Sequence, residues 1–201
     1  LYGKDITCPA PWVDYVHEVI PEFLHSLGSS DMLAMLPKEL QPENFMIYVG
    51  HHGTNTPAHT DICASVGHNV MVSADPDASA FWFMTKSDDR QQISDFFNTE
   101  GGSVFSENFL CPVEVLKKSP VPVYVIEQKL GDFVIVPPLS VHQVVNKGGF
   151  NTKVSWNRMT EDSLRRCVDF LPTYRANFRP EIYRTKAMTH FALLHKTRQA
   201  Q

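Results

Sequence analysis

Eight short apolar, β-branched or aromatic runs, each bounded by turn residues, restrict the fold of this chain more than any other feature. They are Phe45-Met46-Ile47-Tyr48-Val49, the stretch from Thr56 to Asp61, Asn69 to Ser73, Ala80 to Thr85, Val121 to Gln128, Phe133 to Val136, Val141 to Asn146 and Lys153 to Arg158. Gly50, Gly53, Asp75-Pro76-Asp77 and Gly131-Asp132 punctuate them, and Gly, Pro and Asp set the backbone angles that end strands. Many short strands with turns between them predict a sandwich or barrel.

Helical spacing is concentrated at the two ends. Between Pro9 and Leu27, residues Trp12, Val16, Val19, Ile20, Phe23 and Leu27 recur at mostly helical intervals, with Pro21 kinking or restarting the helix. Ser30-Asp31 caps a short second helix that ends between Pro37 and Pro42. Ser87 to Phe97 and Val113 to Lys118 are expected to be helical insertions. Beyond Thr160 the chain turns helical again, with Leu164, Val168, Phe170 and Leu171 as the face expected to pack on the barrel. The expected organisation is one domain over 1–201: a helical N-terminal flank (1–44), a β core (45–159) and a helical C-terminal flank (160–201).

Composition narrows the function classes. At 201 residues and 43% hydrophobic, the chain can bury a full core. A net charge of -4 argues against an extended nucleic-acid surface, so direct nucleic-acid binding is not indicated. Basic residues thicken from Arg158 to Arg198, Lys196 among them, as solvated helix faces. Cys8, Cys63, Cys111 and Cys167 include no C-x-x-C pair, which disfavours a disulfide scaffold or compact zinc module and points to a reducing compartment. No apolar run approaches the ~18 residues of a membrane span, and no cleavable signal is evident. A start at Leu1 rather than methionine reads as a piece of a longer protein whose flanks carry other modules.

The chemistry gathers around Thr56-Pro57-Ala58-His59-Thr60-Asp61. On an extended strand, residues i and i+2 share a face about 7 Å apart, so His59 and Asp61 present an imidazole and a carboxylate together. His142 opens a new strand after Pro137-Pro138 and can point back into the barrel. Two histidines and a carboxylate with open positions form the facial triad of non-haem Fe(II) oxygenases. Among the chain's nine histidines, His51, His52 and His68 are rivals, expected in loops or outside the ligand set.

Four motifs in this order, His59-x-Asp61, Asn69-Val70-Met71-Val72, Gly131-Asp132 through His142, and Lys153-Val154-Ser155-Trp156-Asn157, resemble the JmjC family of Fe(II)- and 2-oxoglutarate-dependent oxygenases. The resemblance covers Phe45 to Asn157. It implies a mainly β fold with helical flanks, the double-stranded β-helix of the cupin or jelly-roll kind. It also implies that His59, Asp61 and His142 ligate Fe(II), with 2-oxoglutarate and O2 as cosubstrates. Thr56 and Asn69 match positions that contact 2-oxoglutarate. Tyr48, Ser155 and Asn157 match positions that line the methyl-lysine pocket of the family's histone demethylases, where an aromatic face attracts a methylammonium. Trp82 and Trp156 read as packing residues.

One departure stands out. The family usually carries a lysine on the strand after Asn69 to pair with the distal carboxylate of 2-oxoglutarate, yet no basic residue lies between Ser73 and Lys86. Lys153 shares the inward parity of Ser155 and Asn157, and is the expected substitute. The resemblance is strongest to the histone H3 lysine demethylases, implying a nuclear enzyme whose partner is a methylated histone tail or other protein substrate. A protein hydroxylase and a catalytically inactive chromatin scaffold are the alternatives.

Overall fold

The computed structural model describes residues 1–199, apart from the side chains of Lys196 and Gln199. The described strands are β1 (Gly3–Thr7), β2 (Met46–Gly50), β3 (Asn55–His59), β4 (Val66–Ala74), β5 (Ser79–Met84), β6 (Tyr124–Gln128), β7 (Phe133–Val136), β8 (His142–Lys147) and β9 (Asn151–Arg158). All pairings are antiparallel. They make a five-stranded sheet in the order β1-β2-β9-β4-β7 and a four-stranded sheet in the order β3-β8-β5-β6. Two facing antiparallel sheets with non-sequential strand order are the expected jelly-roll architecture.

Alternation divides β9 cleanly. Lys153, Ser155 and Asn157 line the space between the sheets, while Val154 and Trp156 lie in an outer cluster with Val16 and Ile47. That outer cluster is aromatic: the Trp156 ring stacks 4.9 Å from Phe45 and 5.2 Å from His68. α1 (Ala10–Val19) contributes Val13 and Val16 to it. Large stacked rings bury much apolar area and hold the five-stranded sheet rigid from outside. The opposite face is thereby left free for polar side chains.

The remaining helices are α2 (Arg90–Thr99), α3 (Val113–Leu116), α4 (Glu161–Ala176) and α5 (Thr185–Gln199). α4 and α5 build a cluster with Leu33, Cys63, Met159, Cys167, Phe170 and Met188. Cys63 belongs to the 3-10 turn Ile62–Ala64, so this cluster anchors the segment just after Asp61.

Three expectations are corrected. The flank 1–44 is not purely helical: β1 pairs with β2, and after α1 only 3-10 turns follow, at Glu22–Leu24, Met32–Met35 and Lys38–Leu40. Pro21 pushes Ile20 into extended backbone (φ -106, ψ 152) and so ends α1. On α4 the buried face is Ser163, Cys167, Phe170 and Tyr174, with Leu164 and Leu171 half-buried beside it. Val168, next to Cys167, falls on the outer side and is 48% exposed.

The third correction concerns β3. It ends at His59, and Asp61 follows in extended conformation (φ -60, ψ 148) as the residue capping the 3-10 turn. Pairing with β8 shifts register between Thr56↔Val144 and His59↔His142. Three residues on β3 thus oppose two on β8, a bulge. Strict alternation would send Thr56 and His59 to opposite faces; the extra residue brings both to the cavity.

Candidate metal centre

His59, Asp61 and His142 converge. Their ligand atoms all lie within 4.8 Å of one another, with Asp61 Oδ1 3.9 Å from His59 Nε2 and 3.8 Å from His142 Nε2. Each imidazole is oriented through its other nitrogen: His59 Nδ1 bonds Pro57 O at 2.8 Å and His142 Nδ1 bonds Ser140 O at 3.0 Å. A carbonyl only accepts, so Nδ1 carries the proton and Nε2 keeps a lone pair aimed at the shared centre. Burial and the neighbouring His142 hold the His59 pKa well below its ordinary value, and burial raises the Asp61 carboxyl. Two imidazole nitrogens and a carboxylate on one side of an open cavity fit Fe(II) in donor type and number.

Two backbone devices hold Asp61. Cys63 N donates to Tyr174 Oη at 2.7 Å, tying the following turn to α4, although Cys63 and Ala64 both have left-handed φ (55 and 53). Gly67 on β4 provides room: a Cβ there would collide with Asp61 Oδ2 and lie 3.1 Å from Val136 Cβ. Only glycine lets the strand pass this close to the carboxylate.

The triad opens into a cavity of about 400 Å³ whose lining includes Thr56, Asn69 and Lys153. Lys153 is 2% exposed. Its Nζ donates to Asn146 Oδ1 and Asn151 Oδ1, each at 2.6 Å, and among the described residues no carboxylate forms an ion pair with it. Burial lowers its pKa from 10.5 to about 8. Such a site favours an incoming anion. Thr56 Oγ1 lies 3.2 Å from Tyr2 Oη. Tyr2 enters the cavity just ahead of β1, a contribution the sequence reading missed because nothing marked β1 as a strand.

Tyr48, Ser155 and Asn157 line the same cavity. Tyr48 Oη donates to Asp5 Oδ1 at 2.5 Å, and its pKa is raised by burial and by that carboxylate. Ser155 Oγ donates to His68 O, and Asn157 Nδ2 donates to Ser65 Oγ. The rival histidines are outside the ligand set: His51 and His52 lie just beyond β2, and His68, although it borders the cavity, stacks on Trp156 while its Nε2 accepts from Arg158 Nε at 3.2 Å. Trp156 is a packing residue as expected. Trp82 also lines the cavity, stacks 5.9 Å from His142 and donates its indole N–H to Gln128 Oε1 at 2.9 Å.

A double-stranded β-helix that gathers two histidines and an aspartate at one mouth defines a cupin-type metal domain. The family model described as JmjC domain, hydroxylase, matches residues 46–158. C-module-binding factor A of Dictyostelium discoideum is 42% identical over 197 residues, a match covering 96% of this chain and 20% of that protein. The chain belongs to the JmjC family. It spans about a fifth of the length of that relative.

Proposed function

We propose that this domain is an Fe(II)- and 2-oxoglutarate-dependent oxygenase acting as a nuclear histone H3 lysine demethylase. The observation that carries the cosubstrate part is Lys153: a buried cation without a carboxylate, in the same cavity as a metal-ready triad. Lys153, with Thr56 at the Tyr2 side, receives the distal carboxylate, and Asn69 donates to the cosubstrate with its amide. His59, Asp61 and His142 hold the iron. Iron with 2-oxoglutarate and O2 supplies an oxidant able to hydroxylate a C–H bond. The rest of the work falls to the protein: the backbone carbonyls of Pro57 and Ser140 hold the imidazoles, and the walls exclude water.

On the substrate side, Tyr48, Ser155 and Asn157 receive the methylated lysine. The Tyr48 ring carries a carboxylate, Asp5, on its hydroxyl, and Glu43 also lines the cavity. An aromatic face among carboxylates favours a methylammonium over a neutral side chain. Hydroxylation of the N-methyl group gives a hemiaminal that breaks down to formaldehyde and the shortened amine. The substrate is a methylated histone tail or another methylated protein.

Anaerobic titration with Fe(II) and then 2-oxoglutarate tests the cosubstrate reading through the charge-transfer absorption of the ternary complex. It should appear in the unmodified protein and vanish in His59→Ala, along with stoichiometric iron. Formaldehyde release from methylated H3 peptides then tests the demethylase assignment; turnover only on an unmethylated protein would favour a hydroxylase. The scaffold reading draws on the missing strand lysine and on a relative whose name describes a binding factor. It gains if metal binds and 2-oxoglutarate does not.

A further inference from the structure

Gln128 is fully buried at the end of β6, on the sheet opposite Asn69. Its Nε2 donates to Asn69 Oδ1 at 3.0 Å, to Asp132 O at 3.2 Å and to Asn69 O at 3.3 Å. Its Oε1 accepts from the Trp82 indole at 2.9 Å. These four partners admit one assignment. An indole N–H only donates and a backbone carbonyl only accepts, so the oxygen of Gln128 must face Trp82 and its NH2 must face Asn69. The Asn69 amide is then fixed as well. Its Oδ1 must take the Gln128 N–H, because a reversed amide would set NH2 against NH2. The polar atom that Asn69 offers the cavity is therefore Nδ2, a donor, and among the described residues no hydrogen bond to a protein acceptor occupies it.

We propose that Gln128 is a positioning residue that sets the polarity of the cosubstrate site by locking Asn69 with its NH2 toward the cavity. The proposal rests on the reading that the cavity takes 2-oxoglutarate. Free to rotate, an asparagine would present its carbonyl to an anionic ligand part of the time and repel it. Locked, it is a preformed donor, and no binding energy is spent on choosing the orientation. Trp82 couples the lock to the metal centre, since the indole that holds Gln128 also stacks on the ring of His142.

Calorimetric titration of 2-oxoglutarate into Mn(II)-loaded protein tests this through a double-mutant cycle. Gln128→Met should weaken 2-oxoglutarate by about 5- to 20-fold, less than the ~10- to 150-fold expected for losing a charge-assisted hydrogen bond outright. Mn(II) affinity should be unchanged. In an Asn69→Ala background the same substitution should have no further effect, because the amide it controls is gone. Should Gln128→Met fail to fold, side-chain amide spectra of the unmodified Zn(II)-loaded protein give the second test. Adding 2-oxoglutarate should shift the Asn69 NH2 resonances and leave those of Gln128 in place. Unchanged affinity in Gln128→Met, an equal loss in the Asn69→Ala background, or an unshifted Asn69 NH2 overturns the positioning role while leaving 2-oxoglutarate binding intact. Absence of 2-oxoglutarate binding to the unmodified metal-loaded protein overturns the cosubstrate reading, and this inference with it.

Discussion

Lys153 Nζ sits 2.6 Å from Asn146 Oδ1, across the turn that carries the chain from β8 in the four-stranded sheet to β9 in the five-stranded one. The contact solvates the ammonium without neutralising it, and Asn151 repeats the arrangement from the other side. A cation kept among amide oxygens retains its charge for a ligand, whereas one paired with a carboxylate would have to surrender a partner first.

The first prediction follows from that geometry. Lys153→Ala should weaken 2-oxoglutarate binding by about 10- to 150-fold, the equivalent of one charge-assisted hydrogen bond. Iron binding should hardly change, since Lys153 contacts none of the three candidate ligands. Titrations of the metal-loaded proteins check both statements, and equal cosubstrate affinities would move the anchor elsewhere.

Burial of Lys153 also makes stability depend on pH. Its folded pKa, about 8, lies below the ordinary 10.5, so between these values the unfolded chain holds a proton that the folded chain lacks. Stability should therefore rise with pH across that window, and the full penalty, on the order of 3 kcal/mol, applies below about pH 8. Lys153→Met removes the charge at similar volume. In urea unfolding of metal-free protein, the variant should be the more stable at pH 7, with the difference closing toward pH 10.5. A gap independent of pH would mean that burial leaves the Lys153 pKa at its ordinary value.

Gly67 gives a way to remove the metal without touching a ligand. A methyl group at that position would occupy the place of Asp61 Oδ2, and β4 cannot retreat because it is paired on both sides, with β7 and β9. Gly67→Ala should therefore displace the carboxylate and reduce Fe(II) or Mn(II) affinity by at least 10-fold, with the fold preserved by circular dichroism. Metal affinity equal to the unmodified protein's would show that the carboxylate has other room.

Much of this was legible in the sequence, and the exceptions share a cause. The eight runs between Phe45 and Arg158 mapped onto strands because their apolar patterns and turn residues agree with one another. β1 was not legible: Gly3 to Thr7 has no alternating pattern, and its strand character comes from pairing with β2. The convergence of His59, Asp61 and His142 was expected, but for a partly different reason, since Asp61 lies beyond the strand and a bulge turns Thr56 inward. A bulge is set by the partner strand, so periodicity along one strand cannot reveal it. Gln128 was read only as the end of a strand, because its importance lies in what Trp82, Asn69 and Asp132 present to it from other parts of the chain.

The last prediction separates substrate from cosubstrate. Tyr48 and Asn157 line the cavity, and neither side chain bonds to Lys153 or to a ligand histidine, although the Asn157 amide reaches the Asp61 carboxylate as well as Ser65. Tyr48→Phe removes the bond to Asp5 while keeping the ring; Asn157→Ala removes an amide tied to Ser65. Each should slow demethylation of methylated histone peptides by roughly 10-fold or more, the scale of one lost polar contact in the transition state. Conversion of 2-oxoglutarate to succinate in the absence of peptide should continue at close to the original rate. Measured side by side, formaldehyde and succinate would then diverge in both variants. A parallel fall of the two products would place these residues in the support of the metal or cosubstrate instead, and a loss of formaldehyde in Asn157→Ala alone would confine methyl-lysine recognition to the β9 side of the cavity.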